Sequence, residues 1–453
     1  MTRWWSRRVA LRPQHYLQAC AHAAILLYWG RYWPPVYDAA AFIAAQLAFA
    51  YAVDMLLTRW RGEAYTFGFG PFPIVLSMNL FLWFKPGYRA WQFAMIAVAF
   101  TAKTLLRWER SGRLTHIFNP SALALTLMSI GLLVTGTSDV TWGREIAVTQ
   151  FYPPQMYVYL FAVSLPGQLL FGVSSMTFAA VTTTYLFGLL YFAATGTYFF
   201  FDSYVPIAVF LGMHLLFTDP STSPHTDLGR LIFGALYGLT VVALYAWLSA
   251  SGLPSFYDKL LPVPLLNLSV RVIDRLASSP LLARFSPARA LRHLVGLRRH
   301  LAYVGVWAIA FGIMSATGGL GDSHRGQWLP FWQNACQNGR ARACAYALQL
   351  EATLCRAGSG WACNELGNLR LSHEGDTVGA LASWQRGCDT GFTAACANAE
   401  DGGRRAAVPA LADYPILLRG SKGPLADGTP SALYRRACDQ QWPDACLFAT
   451  RSP

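Results

Sequence analysis

Eight cysteines carry the first chemical signal in this chain. Cys336/Cys344, Cys355/Cys363, Cys388/Cys396 and Cys438/Cys446 are four pairs with one spacing, C-x7-C. Metal ligation and disulfide formation compete for such a set. Zinc sites favour cysteines about two to four residues apart and often add histidine; here the spacing is wider and only His324 and His373 lie nearby. Disulfides are the preferred reading, each closing a short loop and contributing about 2–3 kcal/mol in the chain-entropy model. The ninth cysteine, Cys20, stands alone in the first 335 residues, so the two parts of the chain read as belonging to different redox settings.

Two polar interruptions of the apolar chain are the second candidate. One is Arg113-Leu114-Thr115-His116-Ile117-Phe118-Asn119-Pro120-Ser121-Ala122, opening directly into an apolar run. The other is Phe217-Thr218-Asp219-Pro220-Ser221-Thr222-Ser223-Pro224-His225-Thr226, followed by Asp227-Leu228-Gly229-Arg230. Each places polar residues and a proline near a helix start, where backbone N–H groups lack partners within the helix. Such an end can hold a phosphate or another anion, and Asn119, Pro120, Thr218, Asp219, Thr222 and Ser223 are the binding candidates. Helix capping by Asn119, Asp219 or Ser223 accounts for the same residues without a ligand. His22, His116 and His214 are haem candidates by type alone, since no pair has a diagnostic spacing; His116 and His214 each precede a motif and are expected to hydrogen-bond it.

Composition dictates the elements that must position these residues. The chain has 453 residues, mean hydropathy +0.31, 54% hydrophobic and 13% charged residues, about half the charged share of an ordinary soluble domain. A single soluble globule and a disordered chain are thereby excluded. A helix crosses a bilayer with about 20 apolar residues. Runs of roughly that kind lie at 15–33, 38–57, 70–84, 89–106, 118–135, 155–172, 177–198, 203–217, 229–250 and 301–319. Gly68, Gly70, Pro71 and Pro73 open the run at 70–84 and point to a half-helix or re-entrant segment there.

The charges orient these runs. The net charge is +13, and Arg3, Arg7, Arg8 and Arg12 place the N-terminus in the cytoplasm by the positive-inside rule. Arg271, Arg275, Arg284, Arg289, Arg292, Arg298 and Arg299 face one acid, Asp274, so this stretch is also expected in the cytoplasm. An even number of crossings must precede it, which demands a tenth at about 254–272 despite Asp258 and Lys259 near its outer end. The run at 301–319 is then the eleventh and delivers the cysteine region to the periplasm. The two polar motifs lie about 100 residues apart, each after about four apolar runs. That pattern indicates a five-helix duplication whose second copy is inverted, an arrangement that puts sites at the repeat interface.

The expected fold is therefore all-α: two inverted five-helix repeats plus an eleventh helix, then a disulfide-stapled helical repeat domain. Its parts are a basic cytoplasmic N-terminus (1–14), a ten-helix membrane domain (15–276), a basic cytoplasmic linker (277–300), the eleventh helix (301–319) and a periplasmic cysteine domain (320–453).

Text around the cysteines repeats, as in Asn334-Ala335-Cys336-Gln337-Asn338-Gly339 and Arg386-Gly387-Cys388-Asp389-Thr390-Gly391, and Ala343, Ala362, Ala395 and Ala445 each precede a second cysteine. This region resembles Sel1-like repeats of the cysteine-rich bacterial type, with Gly339, Gly358 and Gly391 in the glycine place and Gln441 replacing it in the last unit. The resemblance implies a scaffold for a protein partner; a concave helical array suits that role. A stabilising cap is the plainer alternative.

The membrane half has a resemblance of its own. Phe118-Asn119-Pro120-Ser121-Ala122, Phe217 to Pro224 with Gly229-Arg230-Leu231-Ile232-Phe233-Gly234, and the stretch Leu265-Leu266-Asn267-Leu268 to Ile273-Asp274 carry it. These residues resemble the NqrB/RnfD family, the membrane flavin proteins of Na+-translocating NADH:quinone reductase and of the Rnf complex, over about residues 15–276. They are most similar to the shorter stand-alone RnfD-like proteins. The resemblance implies electron transfer with companion membrane subunits, FMN bound through a phosphoester to the threonine of S-G-A-T, and often riboflavin. This chain has no S-G-A-T; the nearest strings are Ser174-Ser175-Met176-Thr177 and Ser315-Ala316-Thr317, so covalent FMN at Thr177 is not expected. FMN or riboflavin held noncovalently at the two motifs is the expectation. No P-loop or dinucleotide fingerprint is present, and nucleic acid is not an expected partner, whereas membrane lipids are. A non-redox scaffold and a transporter are the competing functions.

Overall fold

The computed structural model describes residues 8–402 apart from Ala10, Ser111, Trp328, Ala341, 357–359 and Gly391. The chain divides into two compact units. One comprises the chain to residue 187 with 205–317, the other 188–204 with the chain from 318 onward. The segment 188–204, which hydropathy assigns to the membrane half, thus belongs with the cysteine region.

The first unit is mostly helical, with α1 (Pro13–Gly30), α2 (Ala40–Trp60), α3 (Pro71–Asn79), α4 (Ala90–Leu105), α5 (Pro120–Thr135), α6 (Met156–Phe171), α7 (Ser174–Thr195, whose residues from 188 fall in the second unit), α8 (Ile207–Leu215), α9 (Asp227–Ala250), α10 (Pro262–Ala277) and α11 (Leu297–Ala316). α2, α7, α9 and α11 have 20 to 24 residues and are long and apolar enough to cross a membrane, since 1.5 Å per residue makes them roughly 30–36 Å long. α4, α5 and α6 are apolar but shorter. α9 packs tightly on α7 because Gly234 and Gly238 lie one turn apart; a Cβ on either would meet the carbonyl oxygen of Met176 or Ala180, the close backbone approach that small residues permit.

Two helices of nine residues interrupt this pattern. α3 starts at Pro71 and α8 follows Pro206, where a residue without an N–H fits a helix start. Both end on buried carbonyls that side-chain amides satisfy. Leu80 O accepts from Gln150 Nε2 at 2.5 Å and Leu216 O from Asn119 Nδ2 at 2.7 Å.

The structure corrects the sequence reading in two places. The chain is not purely helical: β1 (Arg8–Val9) pairs in parallel with β2 (Thr66–Phe67), and β3 (Arg107–Arg110) pairs antiparallel with β4 (Arg113–His116). Gly112, at φ +72°, supplies the left-handed residue that the tight β3–β4 turn needs. The run expected at 254–272 has a single 3-10 turn at Ser255–Tyr257 and is α-helical only from Pro262, because proline cannot continue a helix from upstream. Asp258 and Lys259, expected near its outer end, are 2% and 3% exposed. The Lys259 carbonyl accepts the Tyr237 hydroxyl at 2.8 Å, near the middle of α9.

The second unit is a run of antiparallel helices, α12 (Leu329–Gln337), α13 (Ala343–Arg356), α14 (Gly360–Leu369), α15 (Thr377–Asp389) and α16 (Thr393–Asp401), each packed on the next. Disulfides join Cys336–Cys344, Cys355–Cys363 and Cys388–Cys396, with Cα separations of 4.5, 4.6 and 4.5 Å. Each ties the end of one helix to the start of the next. Ala343, Ala362 and Ala395 are fully buried beside them, which explains why alanine precedes each second cysteine. Cys438 and Cys446 lie outside the described residues. His373 comes within 4.8 Å of the Cys336 and Cys344 sulfurs, but two sulfurs bonded to each other offer no thiolate to a metal. Trp332, Tyr346 and Leu350 build the core together with Tyr198 from the 188–204 segment.

Candidate functional site

The two polar motifs, about 100 residues apart in sequence, meet in the first unit. Asn119 caps α5, its Oδ1 accepting from the Ala122 N–H at 3.2 Å and from the Ser121 hydroxyl at 2.8 Å. Its own N–H donates to Asn267 Oδ1 at 3.0 Å, and Asn267 Nδ2 donates to the Thr222 carbonyl at 3.0 Å. Asn267 on α10 therefore fastens one motif to the other. The junction is sealed, with Asn119 at 7% exposure and Asn267 and Thr222 at 0%.

A second set of bonds closes the junction from the β-hairpin. Arg110 on β3 reaches Asp274 Oδ2 at 2.8 Å and the Ser223 carbonyl at 2.8 Å. Asp274 also accepts the His225 and Thr226 N–H groups, both at 3.1 Å, and the Thr226 hydroxyl at 2.9 Å. Burial raises the Asp274 pKa, but these hydrogen bonds and the Arg110 charge outweigh it and hold the carboxyl below its ordinary value. Thr226 in turn caps α9, its Oγ1 accepting the Gly229 N–H at 3.1 Å.

The accessible edge is His116 and Asp219. Their Nε2 and Oδ2 lie 3.0 Å apart, with side chains 21% and 20% exposed; at that distance an imidazole N–H donates to the carboxylate. Asp219 also accepts the Ser221 N–H and the Thr222 hydroxyl, both at 3.1 Å. Burial raises its pKa, while His116, Ser221 and Thr222 together bring it below the ordinary value.

The candidates divide accordingly. Asn119, Asp219, Thr222 and Ser223 belong to the junction, and Pro120 is the first residue of α5. Thr218 turns its hydroxyl back onto the His214 carbonyl at 2.8 Å. Thr177 lies on another element, in the first turn of α7, and its buried hydroxyl has no hydrogen-bond partner among the described residues. His116 bonds not the motif it precedes but Asp219 of the other one. His214 does not use its ring that way: Nδ1 contacts the Phe210 carbonyl at 2.7 Å, because the carbonyl one turn earlier is the nearest partner on its own helix. Capping falls to Asn119 and Thr226 rather than to Asp219 or Ser223.

Sequence reasoning did not assign Arg110, Asn267, Asp274 or Thr226 to the site. Asp274 did leave a trace, as the one acid among seven arginines between 271 and 299.

A flavin fits this arrangement only in part. The starts of α5 and α9 are capped by their own side chains, which disfavours a phosphate at either. The partly exposed His116–Asp219 pair offers donor and acceptor groups of the kind that a ring system with carbonyl and N–H edges requires. No family model, curated protein or solved structure matches this chain.

Proposed function

We propose that this chain is a multi-pass inner-membrane electron-transfer protein that binds FMN or riboflavin noncovalently and serves a periplasmic partner docked on its Sel1-like cysteine domain. The observation that carries this reading is the Asn119–Asn267–Thr222 junction. Three segments that resemble the membrane flavin proteins of the quinone reductase and Rnf complexes, widely separated in sequence, converge there through direct hydrogen bonds. The His116–Asp219 edge is where the ring of the cofactor would be held, and Asn119, Asn267 and Arg110 keep that edge in position. Bound there, a flavin supplies one- and two-electron chemistry.

Eleven crossings in two inverted five-helix repeats account for the order of the elements. α1 to α5 and α6 to α10 then correspond one to one, and the nine-residue α3 and α8 take the same place in each set. The topology is supported independently by the second unit. Residues 188–204 follow the main body of α7, and the chain from 318 follows α11. In the scheme with a cytoplasmic N-terminus, both helices end outside, and an oxidising exterior suits the three disulfides.

A scaffold without flavin is the second reading, favoured by the degree to which the motif side chains satisfy one another. Acid extraction of the purified full chain, with flavin identified by fluorescence, separates the two. Flavin near one equivalent per chain that is lost on His116→Ala supports the first; its absence from protein that still complements a deletion strain supports the second.

A further inference from the structure

On both sides of the basic linker, residues 277–300, the chain is held at the start of α9. From the end of α10, Asp274 accepts the His225 and Thr226 N–H groups. From the start of α11, Tyr303 donates to Asp227 at 2.9 Å, and Arg299 Nε lies 3.4 Å from the same carboxylate. Between them a short helix, Pro287–Ala290, packs on α9. The linker therefore lies at the end of the bundle where α9 and α11, two of the membrane-length helices, begin.

The protein does not neutralise its charge. Arg275, Arg284, Arg289, Arg292 and Arg298 are exposed, and none has an ion-pair partner among the described residues. Asp274, the one acid between 271 and 299, is taken by Arg110 at 2.8 Å. The first turn of α11 has no acid and carries Arg298 and Arg299. Cations thus sit at the positive end of a helix dipole, where an anion is the favoured neighbour.

Apolar side chains are interleaved with these arginines. Leu276, Leu281, Phe285, Val295 and Leu297 are between 53% and 79% exposed, and Arg284 lies over the Phe285 ring, 4.9 Å from its centroid. They continue a stripe on α10, where Leu265, Leu268 and Val272 are exposed at helical spacing. A soluble acidic partner answers the charge but not the apolar surface. An anionic bilayer surface answers both, with headgroups for the guanidinium groups and acyl chains for the leucines and Phe285.

We infer that the linker is an interfacial anchor that binds anionic phospholipid, its arginines on the headgroups and Leu281, Phe285 and Val295 at the acyl boundary. The inference rests on the membrane placement of α9 and α11 and not on the flavin. Each arginine close to an anionic membrane surface strengthens the association about fivefold.

The test is hydrogen exchange of the backbone amides of residues 281–296 in the full chain, compared between nanodiscs of phosphatidylcholine alone and nanodiscs that also contain phosphatidylglycerol. Phosphatidylglycerol slows exchange in the wild type at least about fivefold at low salt, and the slowing is lost near 1 M salt, where the screening length is about 3 Å. Arg284→Gln/Arg289→Gln/Arg292→Gln removes three exposed side chains without ion-pair partners. This variant loses the slowing, while exchange in α9 and α11 stays as in the wild type. Phe285→Ser loses part of the slowing with every charge intact. Equal exchange in the two lipids overturns the inference, as does equal slowing in the wild type and the triple variant. Protection by polyglutamate in phosphatidylcholine nanodiscs, without a response to phosphatidylglycerol, assigns the patch to a soluble acidic partner and overturns it as well. Incorporation into nanodiscs tests the membrane placement separately, and flavin content is unchanged in these variants.

Discussion

Asn267 accepts the backbone N–H of Asn119 at 3.0 Å while its own amide donates to the Thr222 carbonyl. One fully buried side chain thus spans two polar segments about 100 residues apart. Asn267→Leu removes both bonds and leaves a buried N–H and a buried carbonyl unpaired, each worth about 1–3 kcal/mol. A loss of roughly 2–4 kcal/mol in unfolding free energy is expected in detergent. A loss below about 1 kcal/mol would mean that the junction has other support.

Arg110 and Asp274 form the second clasp. A double-mutant cycle with Arg110→Gln and Asp274→Asn should return a coupling of about 1–3 kcal/mol, the range for hydrogen bonds to charged groups. Asp274 and Asp219 both have carboxyls held below the ordinary value of 3.8. Their contribution is present above that value and is lost as pH falls through the depressed one. Acid titration of the wild type should show this loss, and Asp274→Asn should show less of it.

Glu365 behaves in the opposite sense. Burial raises its carboxyl from 4.5 to about 7 despite hydrogen bonds from Asn364 and Asn368. The folded cysteine unit therefore holds a proton that the unfolded chain releases at lower pH. Its stability is full below about pH 4.5 and falls as pH rises towards 7. Hydrogen exchange of the α14 amides in the full chain, corrected for intrinsic pH dependence, should show less protection at pH 8 than at pH 5. Glu365→Gln should flatten the profile, and an unchanged slope in that variant would assign the effect elsewhere.

Cysteine chemistry supplies a count. Among the described residues Cys20 is the one free thiol, and it is exposed. Unreduced, denatured protein should take up one maleimide per chain if Cys438 and Cys446 are also bridged, and three if they are not. Replacing one described pair by alanines should destabilise its unit by about 2–3 kcal/mol.

Much of the helical layout is legible in the sequence because hydropathy and run length are local properties. Each apolar run contains a helix, and the cysteine spacing correctly places three bridges between the end of one helix and the start of the next. The partners within the site are not legible. Arg110 finds Asp274 and Asn119 finds Asn267 across 164 and 148 residues, and no local pattern encodes such pairings. The β3–β4 hairpin is not legible because Arg107–Arg110 and Arg113–His116 carry no regular alternation of apolar and polar residues to mark them as strands. Nor does the sequence show that Asp258 and Lys259 pair with each other at 3.7 Å, buried within the protein.

The central claim is that the chain carries a flavin without a covalent bond, and the absorbance spectrum of the purified full-length protein tests it most directly. The predicted result is yellow protein with a flavin band that leaves with the supernatant on acid precipitation, and a weaker band in the His116→Ala and Asp219→Ala variants. Colourless, folded protein that gains no band when mixed with FMN or riboflavin would contradict it.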